Sequence, residues 1–128
     1  GAESQIVPPA RPAADPRVGA AVARMEERID RPEPLARTAR AVGLSLRRLE
    51  GLFRAELGMS PGAWARDLRL QAARRMITDT RHPLGEIALR CGFGSQSALS
   101  RAFRSRFGQS PSSLRRPAPL RASRAGSG

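Results

Sequence analysis

Apolar side chains recur along this chain at intervals of three and four residues, the period of one helical face, and turn-forming residues cut the pattern into seven segments. Asp15 and Pro16 make a cap with a first-turn proline, and Val18, Val22, Met25 and Ile29 then line one face. Pro32 and Pro34 end this helix, and Pro34 opens a second of about two turns that carries Leu35, Ala39 and Val42 and stops at Gly43. Ser45 caps a third, with Leu46, Leu49, Leu52, Phe53 and Leu57 on its apolar face and Gly58 at its end. From Ser60-Pro61 to about Thr78 only Gly62 interrupts. Trp64, Leu68, Ala72 and Met76 form one stripe there and Leu70, Ala73 and Ile77 another, an arc wide enough to predict a long helix packed on both sides. His82-Pro83 opens a fifth helix (Leu84, Ile87, Ala88, Cys91), Ser95 a sixth (Leu99, Phe103, Phe107) and Ser110-Pro111 a short seventh around Leu114. No alternating β-branched run predicts a strand, so the expected class is all-α.

The pattern occurs twice. At an offset of 49 residues Leu35, Ala39 and Gly43 recur as Leu84, Ala88 and Gly92. At an offset of 50, Ser45, Leu49, Phe53, Arg54, Gly58, Ser60 and Pro61 recur as Ser95, Leu99, Phe103, Arg104, Gly108, Ser110 and Pro111. The one-residue slip falls in the turn between two helices, where an insertion is tolerated, so the copies are structural equivalents. The organisation expected is a disordered segment 1–14, a first subdomain 15–58, a linker helix 59–79, a second subdomain 80–116 and a disordered tail 117–128.

Charge narrows the partners. The formal charge is +12, and all 23 basic residues are arginine, a usage that genomic composition explains before any selection for guanidinium groups. From Arg81 onward nine arginines face one acidic residue, Glu86, giving +8. Such a field attracts polyanions, nucleic acid first and an anionic membrane surface second. A single cysteine, Cys91, forms no internal disulfide, and nothing around the one histidine, His82, resembles a metal-ligand set, so no metal or other cofactor is expected. No apolar run is long enough for a membrane span and no signal-peptide pattern is present, which suits a cytoplasmic, nucleoid-associated protein. The chain begins at Gly1 rather than Met, as a piece of a longer protein would.

A short helix, a glycine turn and an amphipathic second helix make a helix-turn-helix, whose second helix lays its polar face in the major groove. Ala39 and Ala88 allow close crossing, and Gly43 and Gly92 suit positive φ. The run G-F-G-S-Q-S-A-L-S-R-A-F-R-S-R-F-G-Q-S-P-S-S-L-R, preceded by I-A-L-R-C, resembles the signature of the AraC/XylS family of bacterial transcription regulators, and the first copy fits that family's less regular half. The resemblance covers roughly residues 15 to 116. It implies a seven-helix, homeodomain-like tandem helix-turn-helix, two subdomains joined by a long linker helix. The second copy is most similar to members with an amidotransferase-like (PfpI-like) N-terminal sensor domain. The resemblance also implies that effector binding and dimerisation belong to a separate N-terminal domain, that this region is monomeric, and that RNA polymerase is a protein partner.

The face opposite the Leu/Phe core is the one that enters a groove. On the first recognition helix, about 45–57, Arg47 is the first choice for guanine O6 and N7, and Glu50 accepts from a cytosine amine or orients Arg47. The family often carries a large basic residue where this chain has Gly51; Arg48 is expected to hold a phosphate. On the second, about 95–107, Gln96 pairs with adenine, Arg101 with guanine, and Ser97 or Ser100 with either a base or a phosphate. Phosphate contacts are expected from Arg48, Arg54 and Arg104, and from the helix starts after Ser60 and Ser110. Arg66, Arg69, Arg74 and Arg75 are expected on a solvated face or paired with Asp67 and Asp79, Trp64 and Cys91 in the core, and His82 at a helix start.

The function expected is sequence-specific regulation of transcription through double-stranded promoter DNA, with the two recognition helices in adjacent major-groove segments. A rigid linker helix would require a bent site or leave the first unit partly engaged. Two other classes compete: a non-specific architectural DNA binder, for which charge suffices, and a helical protein-interaction module. No Ser/His/Asp, Cys/His or paired-carboxylate set falls on facing elements, which argues against an enzyme.

Overall fold

The computed structural model describes residues 15–115, and the segments expected to be disordered, 1–14 and 117–128, lie outside the described residues. Seven helices follow in order: α1 (Pro16–Glu27), α2 (Leu35–Ala41), α3 (Leu46–Leu57), α4 (Pro61–Asp79), α5 (Leu84–Arg90), α6 (Gln96–Phe107) and α7 (Pro111–Arg115). Among the described residues none forms a strand. The chain divides into two units between Arg69 and Leu70, within α4.

Capping explains most helix boundaries. The Asp15 carboxylate accepts the Arg17 N–H at 2.9 Å with Pro16 at the first position. Ser45 Oγ accepts the Arg48 N–H and Ser95 Oγ that of Ala98, each at 3.1 Å, satisfying donors that the first turn leaves without an intrahelical partner. Pro34 and Pro83 stand one position earlier than expected, as the capping residues of α2 and α5, with ψ of 141° and 147°. Neither brings a side-chain acceptor, and the proline backbone sets the entry to the helix.

In the first unit α1 packs on α2 and α3. Val18, Ala21, Met25, Ala39, Leu49 and Phe53 form the buried core, with Leu35, Leu52, Trp64 and Leu68 packed around it. Trp64 stands edge-on to Phe53 with centroids 6.4 Å apart, the core-side role expected of it. The second unit buries Leu70, Ala73, Ile77, Ile87, Ala88, Leu99 and Phe103, with Phe107 tilted against Phe103 at 4.6 Å. Cys91 is fully buried and its thiol lies 3.9 Å from Met76 Sδ. Burial pushes that thiol's pKa up, so it stays protonated and inert, as the core reading of this residue requires.

Candidate nucleic-acid interface

The two turns that aim α3 and α6 share the hydrogen bonds made by the glycine and by the residue after it, while the residue before the glycine bonds three residues back in the first (Val42 N–H to Ala39 O) and four back in the second (Cys91 N–H to Ile87 O). Gly43 N–H donates to Arg40 O at 3.0 Å and Leu44 N–H to Ala39 O at 2.9 Å; Gly92 N–H donates to Leu89 O at 3.2 Å and Phe93 N–H to Ala88 O at 2.8 Å. Gly43 and Gly92 hold φ of +83° and +82°, a region costly for any residue with a Cβ. Ala39 and Ala88, the small residues of the first helix in each pair, have no exposed surface. The extra residue of the second copy, Gly94, follows these bonds and precedes the Ser95 cap, so the slip leaves the turn itself unchanged.

With Leu49 and Phe53 buried on one side of α3, Arg47, Arg48, Glu50, Gly51 and Arg54 are exposed. With Leu99, Ala102 and Phe103 buried on one side of α6, Gln96, Ser97, Arg101 and Arg104 are exposed and Ser100 is half-buried at the edge. Each face therefore carries two rows at four-residue spacing: Arg47–Gly51 and Glu50–Arg54 on α3, Ser97–Arg101 and Ser100–Arg104 on α6. Arg48 also acts at a distance on Asp15, whose carboxyl is held at about 2, chiefly by hydrogen bonds from the Arg17 side chain and backbone.

Ser60 and Ser110 stand at the starts of α4 and α7, but their hydroxyls are engaged. Ser60 Oγ accepts the Ala63 N–H and Ser110 Oγ the Ser113 N–H, each at 3.1 Å. Pro61 and Pro111 bring no N–H, so Gly62 and Ser112 supply the first backbone donors of these helices.

Three arrangements escaped the sequence reading. Glu33, its side chain 7% exposed, pairs with Arg24 and Arg28 and accepts from Thr38 Oγ1 at 2.9 Å; the Arg24 bond is the main reason its pKa is lowered. Arg115 donates to the backbone carbonyls of Met76, Ile77 and Thr80 at 3.4, 3.3 and 3.0 Å, and to that of His82, placing a cation at the negative end of α4. Arg74, expected to be solvated or ion-paired, lies 4.8 Å from the Phe107 ring centroid, as does Arg106. Of these, only Arg115 carried a sequence signal, since it closes the second copy's S-P-S-S-L-R run.

A cleft of about 320 Å³ in the first unit is lined by Met25, Arg28, Glu33, Leu35, Thr38 and Arg69 among others. None of its lining residues lies on α3, so it is separate from the exposed recognition face. Burial lowers the pKa of Arg69 there, and the neighbouring Arg66 charge adds to the effect. Among the described residues no group of histidine, cysteine and carboxylate side chains could hold a metal ion, and no helix is long and apolar enough to cross a membrane.

Two glycine-turned helix pairs, each with a polar second helix exposed, define a tandem helix-turn-helix protein. A family model described as a helix-turn-helix domain matches residues 38–117. The HTH-type transcriptional regulator GlxA of Rhizobium meliloti is 39% identical and CdhR of Pseudomonas aeruginosa 36% identical, each over 101 residues and 79% of this chain. The chain spans only 31% and 30% of the length of those two relatives. A transcriptional regulator from Chromobacterium violaceum with an AraC-type DNA-binding domain superposes with a TM-score of 0.75 at 36% identity, covering 78% of this chain and 89% of that one. The DNA-binding domain of the global transcriptional factor AdpA, solved in complex with a target DNA, gives 0.74 at 29% identity, covering 77% and 89%. The chain belongs to the AraC/XylS family of transcription regulators. That family consists of DNA-binding regulators rather than enzymes.

Proposed function

We propose that this chain is the DNA-reading part of a transcription regulator that recognises specific double-stranded promoter sequences through α3 and α6. The observation that carries the reading is the repeated geometry: two turns with the same positive-φ glycine and the same two hydrogen bonds at and after it, each exposing a polar helix face on a chain of charge +12. Such a face has the width and donor pattern that a major groove admits. In this reading Arg47, Glu50, Gln96, Ser97, Ser100 and Arg101 contact base edges, and the half-buried Ser100 reaches only the margin of the groove. Arg48, Arg54 and Arg104 hold phosphates. Ser60 and Ser110 contribute through the helix starts they cap, with the Gly62 and Ser112 amides as donors.

The working partition keeps 15–58 and 80–116 as the two reading subdomains and 59–79 as the linker helix. The match spans only 31% and 30% of the two regulators named above, which leaves room for effector sensing and dimerisation outside this region; the region itself is taken as a monomer. RNA polymerase as protein partner and a place on the nucleoid follow from a role at promoters.

Selection of bound sites from random duplexes by residues 1–128, at about 0.2 M salt where purely electrostatic binding is weak, tests the reading. An asymmetric motif about two helical turns long supports it. Recovery of no motif, with tight binding confined to low salt, supports an architectural binder instead.

A further inference from the structure

The internal repeat separates what the two recognition helices share from what they do not. Arg54 and Arg104 match, as do the caps Ser45 and Ser95 and the exits Gly58 and Gly108. The core positions differ only in size, Leu52 against Ala102 and Leu57 against Phe107, whereas on the outward side the chemistry changes: Arg47 corresponds to Ser97, Glu50 to Ser100 and Gly51 to Arg101. Along the equivalent row one helix carries an arginine and then nothing, and the other a serine and then an arginine.

Gly51 has no explanation within the protein. It lies inside α3 without positive φ, is exposed, and a Cβ built on it meets nothing within 4 Å. Neither the turn geometry nor close packing of helices calls for glycine there, and glycine weakens an exposed helix relative to alanine. The demand for a missing side chain therefore lies on the side that faces outward.

We propose that Gly51 is a specificity-determining position of the first unit. By leaving the second turn of α3 bare, it assigns guanine reading there to Arg47, one helical turn earlier than Arg101 reads in the second unit. This rests on the base-reading function proposed above and deepens it. Four residues along a helix amount to about 6 Å, or roughly two base-pair steps of about 3.4 Å. The two half-sites then differ in where guanine stands relative to a phosphate frame that Arg54 and Arg104 hold in common.

Site selection with the full chain and four variants tests this. Arg47→Ser/Gly51→Arg gives α3 the row of α6, and its first half-site should show guanine displaced by about two base pairs while the second half-site is unchanged. Gly51→Arg alone should add a guanine preference at that displaced position, and Gly51→Ala should keep the original motif and melt at a higher temperature. Arg101→Ala should erase guanine from the second half-site only. If Arg101→Ala behaves so but neither arginine-introducing variant shifts or adds a guanine, position 51 does not set specificity. Loss of the first half-site in Gly51→Ala would equally overturn the proposal, because the glycine would then serve close backbone approach. A motif indifferent to Arg101→Ala would instead overturn base reading by α6 and this inference with it.

Discussion

Two carboxylates illustrate how single residues hold the first unit together. Asp15 caps α1 and is held at about 2 by Arg17, and Glu33 is lowered by Arg24, with Thr38 and Arg28 assisting. Because folding lowers the pKa of both groups, each stabilises the fold above its unfolded pKa, about 4 to 4.5, and loses that contribution as pH falls. For Asp15 the loss is complete only below about pH 2. Melting temperature, followed by circular dichroism, should thus decline as pH is lowered from about 4.5 to 2. Glu33→Gln should lower stability by about 1–3 kcal/mol at neutral pH and shrink the acid-dependent part of the curve. A variant with an unchanged acid limb would remove Glu33 from this account. In the second unit Arg115→Ala removes a donor from four carbonyls, of which that of Met76 keeps the Thr80 N–H and hydroxyl, and is expected to cost about 1–3 kcal/mol, read as a lower melting temperature.

At the scale of the element, capping and core spacing were legible because each depends on neighbours in sequence. Ser45, Ser95, Gly43 and Gly92 each fall where their local chemistry puts them, and the apolar spacing of α3 and α6 gave the buried Leu49, Phe53, Leu99 and Phe103. Replacing Ser95 by Ala should cost about 1 kcal/mol, and Phe103→Ala about 3–5 kcal/mol, measured by denaturant unfolding. What the sequence hid depends on distance. Arg115 meets the end of α4 and the residues that follow it from 33 to 39 positions away, and Arg24 meets Glu33 across the loop from α1 to α2. No periodicity records such pairings, and an arginine-only basic set gives no means of telling a structural guanidinium from a DNA-facing one. The exposed face itself was legible as the complement of the core, with Ser100 the residue placed nearer the edge than its spacing suggested.

For the whole molecule, excess positive charge and sequence reading make different demands on the same arginines. Charge alone draws any duplex, with an affinity that falls at higher salt because releasing the condensed counterions then gains less entropy. Replacing Arg54 or Arg104 should weaken binding to all sequences and reduce the salt slope by about 1, measured by fluorescence anisotropy across a salt series. Replacing Arg47 or Arg101 should cost about 1–3 kcal/mol on the preferred site while affecting random duplex far less. Base reading by α3 and α6 is tested most directly by guanine N7 methylation interference on the selected site. A methyl group there blocks the acceptor that a bidentate arginine uses. Two interfering guanine positions are expected, one lost with Arg47→Ala and the other with Arg101→Ala. Interference that is absent, or unchanged in both variants, would contradict base reading by these helices.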